Sequence, residues 1–443
     1  MPKVNLHGSP QSLPWLVLVL SAVVSFGVWH WADTIFLPAN TVAAIVASRP
    51  MGNNSDLYAR WLGSRAVLLY HRNPYSDQVT REIQTGFYGR PLDPRRPADP
   101  PFQESFVYPL YVVFLLAPTV TTPFPTVQAV FRWLLLLSVA GSVPLWLQAV
   151  GFRTQRLYVL SAMLLASSTY AAVLEFHMQN LAALVIFLLA AAGALLVRNY
   201  QTLAGFCLAL ATIKPEVSWL MVAWFLLWAI ATYSEGKRLL WSFLGTMLGL
   251  IVAAEALLPH WMTSFFAAVR EYPTYGTEPN IFQIFLPSLS AEFAMAVSVI
   301  LMIAYCWRWK RAVPGSLEFG WALAWAAVVT LALLPKLSAY NQPILIPALA
   351  VLIPQQETAV GLFARALRKG AFACQIWQWL AALGLSVCSL FVPAAHLFRV
   401  SQWPLFTFIA LIPVTLLAIM FGTVSRWGIA GSKPRQDRKF SNY

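Results

Sequence analysis

Acidic residues are scarce in this chain: 17 Asp and Glu stand against 30 Lys and Arg among 443 residues, a formal charge of +13. Charged residues of both signs reach only 11%, well below the quarter or so usual in soluble domains, which argues against an ordinary soluble fold. Cysteine is also scarce. Cys207, Cys306, Cys374 and Cys388 lie in or beside apolar runs, with no C-x-x-C and no Cys/His spacing of a zinc site. A disulfide framework is thereby excluded, and small core residues are expected. No repeat of fixed period runs through the chain, so symmetry lends nothing to a repeat-built transporter. The first apolar run, Pro14 to about Trp31, is followed by Asp33 without a small-residue cleavage site; it is expected to be a retained span.

What is abundant is apolar. Hydrophobic residues make up 59% of the sequence, mean hydropathy is +0.64, and 19 Trp with 15 Tyr suit aromatic belts at two bilayer interfaces. The excess of basic residues falls in short loops between apolar runs, the pattern of cytoplasmic loops, and does not call for nucleic acid. Runs long enough to consider as spans lie at about 14–32, 106–120, 127–149, 157–173, 179–197, 201–214, 217–233, 239–258, 291–309, 318–335, 340–354, 377–395 and 402–421. The expected fold is an all-α polytopic membrane protein of about 12–13 transmembrane helices. It forms a single domain over 1–432 with a basic cytoplasmic tail at 433–443, in the cell (inner) membrane.

Two long loops, 33–105 and 259–290, are expected on the extracytoplasmic side, each carrying an interfacial helix. The basic groups Lys237-Arg238, Arg308 to Arg311 and Arg365 to Lys369 set that orientation. Simple alternation then requires one early segment not to cross. The short segments 106–120 and 201–214, bounded by Tyr108-Pro109, Ala117-Pro118 and Lys214-Pro215, are the candidates. Broken helices at membrane depth are tolerated where they line a cavity.

The first loop holds "GNNSDLYARWLGSRAVLLYHRNPY", Gly52 to Tyr75. From Ser55 to about Leu69 the pattern predicts a helix capped by Ser55. Asp56, Arg60 and Gly63 at i, i+4 and i+7 fall on one face, placing a carboxylate beside a guanidinium over a residue small enough for a substrate to approach. Without further context an Asp–Arg pair at this spacing is most often a surface pair.

The run "SDLYARWLGSRAVLLYHRNPYS" resembles the first extracytoplasmic loop of glycosyltransferase family 87, a polyprenyl-phosphate-sugar-dependent branch of the GT-C superfamily. "FVYPLYVVFLLAP" at Phe106–Pro118, "HMQNLAALVIFLLAAAGALL" at His177–Leu196 and "LALATIKPEVSWL" at Leu208–Leu220 follow in the family's order. The chain departs where the family has Tyr-Pro-Pro (here Tyr108-Pro109-Leu110) and Gly-Gln-x-Asn (here Met178-Gln179-Asn180). A late His-rich motif of the mannosyltransferase members appears as "LLPKLSAYNQPILIP", without His.

The resemblance implies a GT-C bundle that moves a sugar from a polyprenyl-phosphate donor to a lipid or glycan acceptor, with inversion and with Asp56 as general base. Cations near the outer interface suit the donor phosphate: Lys214 first, then Arg60, Arg65, Arg270 and Lys336. Lys214 is equally readable as a headgroup anchor or a partner of Glu216. Gln179 and Asn180, with Tyr108, Tyr340 and Asn341, are the expected sugar and acceptor contacts, Gln179 and Asn180 being as readily a helix cap. No cofactor or metal is called for, since no carboxylates or His stand at ligand spacing. A transporter or lipid flippase without transferase chemistry is the alternative.

Overall fold

The computed structural model describes residues 12–46, 55–93, 95–96, 99, 104–271, 279–334, 338–353, 362–392 and 403–430. Among them every regular element is helical. The N-terminal half comprises α1 (Leu13–Trp31), α2 (Leu37–Val46), α3 (Asp56–Tyr70), α4 (Asp77–Tyr88), α5 (Val112–Leu116), α6 (Phe124–Ala149), α7 (Arg156–Ala166), α8 (Tyr170–Met178) and α9 (Ala182–Val197). The remainder comprises α10 (Gln201–Ala211), α11 (Pro215–Ala231), α12 (Tyr233–Leu257), α13 (Trp261–Glu271), α14 (Ile281–Phe285), α15 (Ser288–Arg308), α16 (Leu317–Leu333), α17 (Ile346–Leu352), α18 (Leu362–Cys388) and α19 (Trp403–Ala430).

Five of these are long and apolar enough to cross a membrane: Leu13–Val42, Phe124–Ala149, Tyr233–Leu257, Ser288–Arg308 and Ala366–Cys388. A sixth arises if α7 and α8, bent by 58°, form one span. The other apolar runs fold as helices of 10–17 residues, including α9, α10, α11 and α16. The reasons are local. Pro215 stops α10 from continuing and starts α11. Thr169 starts α8 by accepting the Ala172 N–H at 3.1 Å, the capping chemistry that ends one helix and begins the next. That second break lies within the segment expected as one span at 157–173.

The first helix runs further than expected. A π-helical turn at Ala32–Phe36 carries α1 into α2 and on to Val46, so 33–46 is helix and not loop. Segment 106–120 is short as expected: α5 and a 3-10 turn, Ala117–Thr119. The second loop does hold a helix, α13, followed after 279 by α14, whose Asn280 and Gln283 complete a capping box.

The interior explains the remainder. From Phe319 to Ala332 every residue of α16 is buried, as befits a helix apolar on all sides and surrounded by others. Trp321, Trp325, Trp146 and Trp228 are among the largest fully buried side chains. The four cysteines are free, Cys306 buried and Cys388 exposed. The outer face of α6 is different: Val130, Trp133 and Leu137 are each about 60% exposed or more.

Candidate functional site

Helix α3 forms as expected, but its first residues are held by distant chain. Ser55 takes the N-cap position in extended conformation, φ −86° and ψ 110°. Its hydroxyl makes no cap. It donates to Gln179 Oε1 at 2.7 Å, so the expected side-chain cap is corrected to a tertiary hydrogen bond.

The expected Asp56–Arg60 ion pair is also corrected. Arg60 Nη1 donates to the Asp56 backbone carbonyl at 2.6 Å, and its guanidinium lies 4.5 Å from the centre of the Tyr108 ring, with Glu104 at 3.9 Å. The Asp56 carboxylate instead accepts from Asn180, Nδ2 to Oδ2 at 2.6 Å. Nor does Gly63 leave room for a substrate: a Cβ there would run into the Phe106 ring. Glycine at this position lets α3 press against segment 106–120.

Asn180 is the hub. Its Oδ1 accepts from Lys214 Nζ at 2.6 Å and from the Ala182 N–H at 3.0 Å, so the same amide starts α9 and joins a carboxylate to an ammonium. Lys214 Nζ also donates to Asn341 Oδ1 at 3.3 Å and lies 4.9 Å from the centre of the Tyr340 ring. Lys214 is 4% exposed, which corrects the reading of a lysine reaching out to headgroups. Its contact with the exposed Glu216 is a loose 3.9 Å.

The chain geometry that allows this is costly. Gln179 closes α8 with φ +47°, a region that non-glycine residues occupy only when their surroundings over-determine it. Here they do. Oε1 accepts from Ser55 and from Gln128 Nε2, the latter at 3.0 Å, and Nε2 donates to the carbonyls of Phe176 and His177. Tyr111, just before α5, bonds through its hydroxyl to Thr212 at 3.0 Å, tying segment 106–120 to the break after α10.

Of the expected residues, Asp56, Asn180, Lys214 and Asn341 are thus linked directly. Gln179 and Arg60 flank them, Tyr108 lies under Arg60, and Tyr340 lies beside Lys214. Arg65 is elsewhere, stacked on Trp61 at 4.7 Å. Arg270 is exposed in the last turn of α13, outside the linked group. Lys336 falls outside the described residues, as does Glu278.

Two members of this neighbourhood were not among the expected contacts. Glu175 is fully buried, neither carboxylate oxygen makes a hydrogen bond of ordinary geometry, and it stands close enough to Lys214 and Asp56 for their charges to act on it. Gln342, 4% exposed, likewise has an unpartnered amide. The signal for Glu175 was present, since a carboxylate inside an apolar run is costly enough to be a functional pointer. No signal separates Gln342 from any amide next to proline.

Chemically, the arrangement presents a part-buried carboxylate with one oxygen fixed and the other, Oδ1, without a partner among the described residues. Behind it stand a neutral amide and a buried ammonium. Among the described residues no three His, Cys, Asp or Glu side chains form a metal-ligand group. Compared with models of protein families, with curated proteins and with solved structures, the chain matches none.

Proposed function

We propose that this protein is a membrane glycosyltransferase that moves a sugar from a polyprenyl-phosphate donor to a lipid or glycan acceptor at the extracytoplasmic face, with Asp56 as general base. The observation that carries this reading is the Asp56–Asn180–Lys214–Asn341 relay. It gathers, from four separated segments, the one acid of the first-loop helix at the end of the bundle where the broken segments meet. In the same reading the short helices also cross or enter the bilayer, giving a GT-C-like bundle of about 12–13 spans, with 33–105 and 259–290 outside.

The step would run as a direct displacement. Asp56 Oδ1 takes the acceptor hydroxyl's proton as that oxygen bonds to the anomeric carbon. The bond from that carbon to the phosphate oxygen breaks, and polyprenyl phosphate leaves. Asn180 holds Asp56 Oδ2 and leaves Oδ1 for the acceptor. Lys214 and Arg60 are the nearby cations that offset charge as it develops on the leaving group.

The test does not require the sugar to be known in advance. Cell-envelope glycolipids of a strain lacking the chain are compared by mass spectrometry with those of strains expressing the parent or Asp56→Asn. The product species missing from the null strain should return with the parent only. With the donor so identified, purified Asp56→Asn should turn over about 100- to 10,000-fold more slowly. Asp56→Glu should recover little, because a displacement of about 1 Å can cost about 100-fold. Transfer by Asp56→Asn within about threefold of the parent overturns the assignment and moves the base to Glu175, Glu216, Glu271 or Glu278. Donor carried across proteoliposomes without any Asp56-dependent product would favour a transporter or flippase.

A further inference from the structure

Among the described residues, Arg132 is partly buried without an acid to balance it. Arg132 sits two turns into α6, and Gln128 precedes it by four residues on the same face. Its guanidinium lies over the Phe176 ring at 5.6 Å, and its charge acts on the neighbouring His177. Among the described residues no carboxylate pairs with Arg132, and its Nε is buried without a hydrogen-bond partner. His177 Nε2 is buried and unpartnered too.

Two other arginines are accommodated differently: Arg60 by a backbone carbonyl and Tyr108, Arg72 by both oxygens of Glu82. A partly buried guanidinium without an anion, on a helix whose outer face is apolar, carries a desolvation penalty that an incoming anion would remove.

The position says what kind of anion. The adjoining face of α6 exposes Val130, Trp133 and Leu137, and Trp29 and Trp133 both pack edge-on against Phe176, at 5.1 and 5.4 Å between ring centres. An occupant of Arg132 would therefore have its polar end between a guanidinium and an imidazole and its body along an apolar surface. On the inner side, Gln128 bonds Gln179 and Gln179 bonds Ser55, the residue before Asp56. These steps connect the Arg132 region to the first turn of α3, and His177 is near enough to Asp56 for that charge to act on it.

Resting on the transferase reading above, we infer that Arg132 and His177 bind the phosphate of an isoprenoid-phosphate lipid that enters sideways along α6. A guanidinium offers phosphate a fork of charge-assisted donors, and His177 Nε2 adds a further contact. Lys214, whose ammonium also bonds two amide carbonyls, positions Asn180 and adds its charge from the inner side.

The experiment uses the full chain in phosphatidylcholine nanodiscs and follows bound lipid by native mass spectrometry. Three probes are titrated: a polyprenyl phosphate, the matching polyprenol and inorganic phosphate. The parent should hold one polyprenyl phosphate, and Arg132→Gln should bind it about 10- to 100-fold more weakly. Arg132→Lys should keep part of the affinity, and His177→Phe should lose part of it. The polyprenol should bind parent and Arg132→Gln alike, and inorganic phosphate should not displace the lipid at equal concentration.

Binding by Arg132→Gln within about twofold of the parent overturns the site. Should that variant not fold, full affinity in both Arg132→Lys and His177→Phe overturns it equally. Displacement by inorganic phosphate as effective as by the lipid overturns the lipid assignment in favour of a free anion. Asp56→Asn is expected to bind the lipid as the parent does, which separates the two claims. Arg132-dependent binding without any transfer refutes only the transferase reading, whereas Asp56-dependent transfer with Arg132-independent binding refutes only this site.

Discussion

The two ends of the first-loop region treat the same residue types in opposite ways. At the α4 end, Arg72 grips Glu82 through two hydrogen bonds of 2.6 and 2.9 Å, and Arg90 pairs with Asp99. Each pair joins residues about ten apart in sequence. At the α3 start, Asp56 reaches over 124 residues to Asn180, and Asn180 reaches a further 34 to Lys214. The first kind of pair is local, and Arg72 and Glu82 are about a third exposed, where charges are screened and contribute little. The second is buried, stepped through a neutral amide, and accompanied by Glu175 and Gln342, whose polar atoms make no hydrogen bond of ordinary geometry among the described residues. A molecule that only needed stability would gain more from apolar packing there. Polar groups kept underground at such cost point to use.

The comparison is most severely tested by removing the buried cation. Lys214→Met leaves the buried Asn180 and Asn341 carbonyl oxygens without their ammonium donor, and each buried acceptor left unsatisfied costs about 1–3 kcal/mol. The denaturation midpoint in detergent should fall sharply. An unchanged midpoint would mean that the cluster is solvated and resembles the α4 end after all.

Asn180→Leu cuts the hub while keeping the side chain's size. Turnover should drop by about 100-fold, because Asp56 loses the group that fixes its rotamer. The change should fall on kcat more than on KM, and equal turnover would remove Asn180 from the relay. Glu82→Gln is the matched control at the other end. It should cost at most about 1 kcal/mol and leave turnover unaltered, as read by the same denaturation and kinetic assays.

The smallest effect expected is a titration. The Arg90 guanidinium beside Asp99 holds its carboxyl down at about 2, against an ordinary 3.8. A depressed folded value means that the stabilisation is present above the ordinary carboxylate value and is lost as pH falls through about 2. The Asp93 N–H, which donates to Asp99 Oδ2 at 2.8 Å, should therefore keep its hydrogen-exchange protection down to about pH 4 and lose it progressively toward pH 2. Loss of protection between pH 7 and 5 would contradict the pairing.

Much of this site was readable before any fold was known. Asp56 stood out as an acid opening a helix in an acid-poor chain, and Lys214 as a lysine between an apolar run and a proline. A residue before proline is steered away from the helix, so its exposure of a break was legible, and the structure puts it at one. Other expectations failed for a shared reason. Ser55 as a cap, Asp56 paired to Arg60 and Gly63 as a substrate gap were each inferred from neighbours within one turn. In each case a partner more than 40 residues away took the group instead: Gln179, Asn180 and Phe106. Arg132 was hidden because one arginine in the first turns of an apolar run looks like any helix-end cation.

The sequence by itself determined the helical, apolar character of the chain, the places where proline interrupts it and the helix that begins at Asp56. These depend on periodicity, side-chain transfer energies and a missing N–H, all of which act within a few residues. Only the tertiary structure decided which polar groups would share the interior. That choice depends on which helix ends meet, and a carboxylate, an amide and an ammonium bond over about 3 Å whatever number of residues separates them. The same packing left the Glu175 carboxylate, the Gln342 amide and Arg132 Nε without a hydrogen bond of ordinary geometry among the described residues.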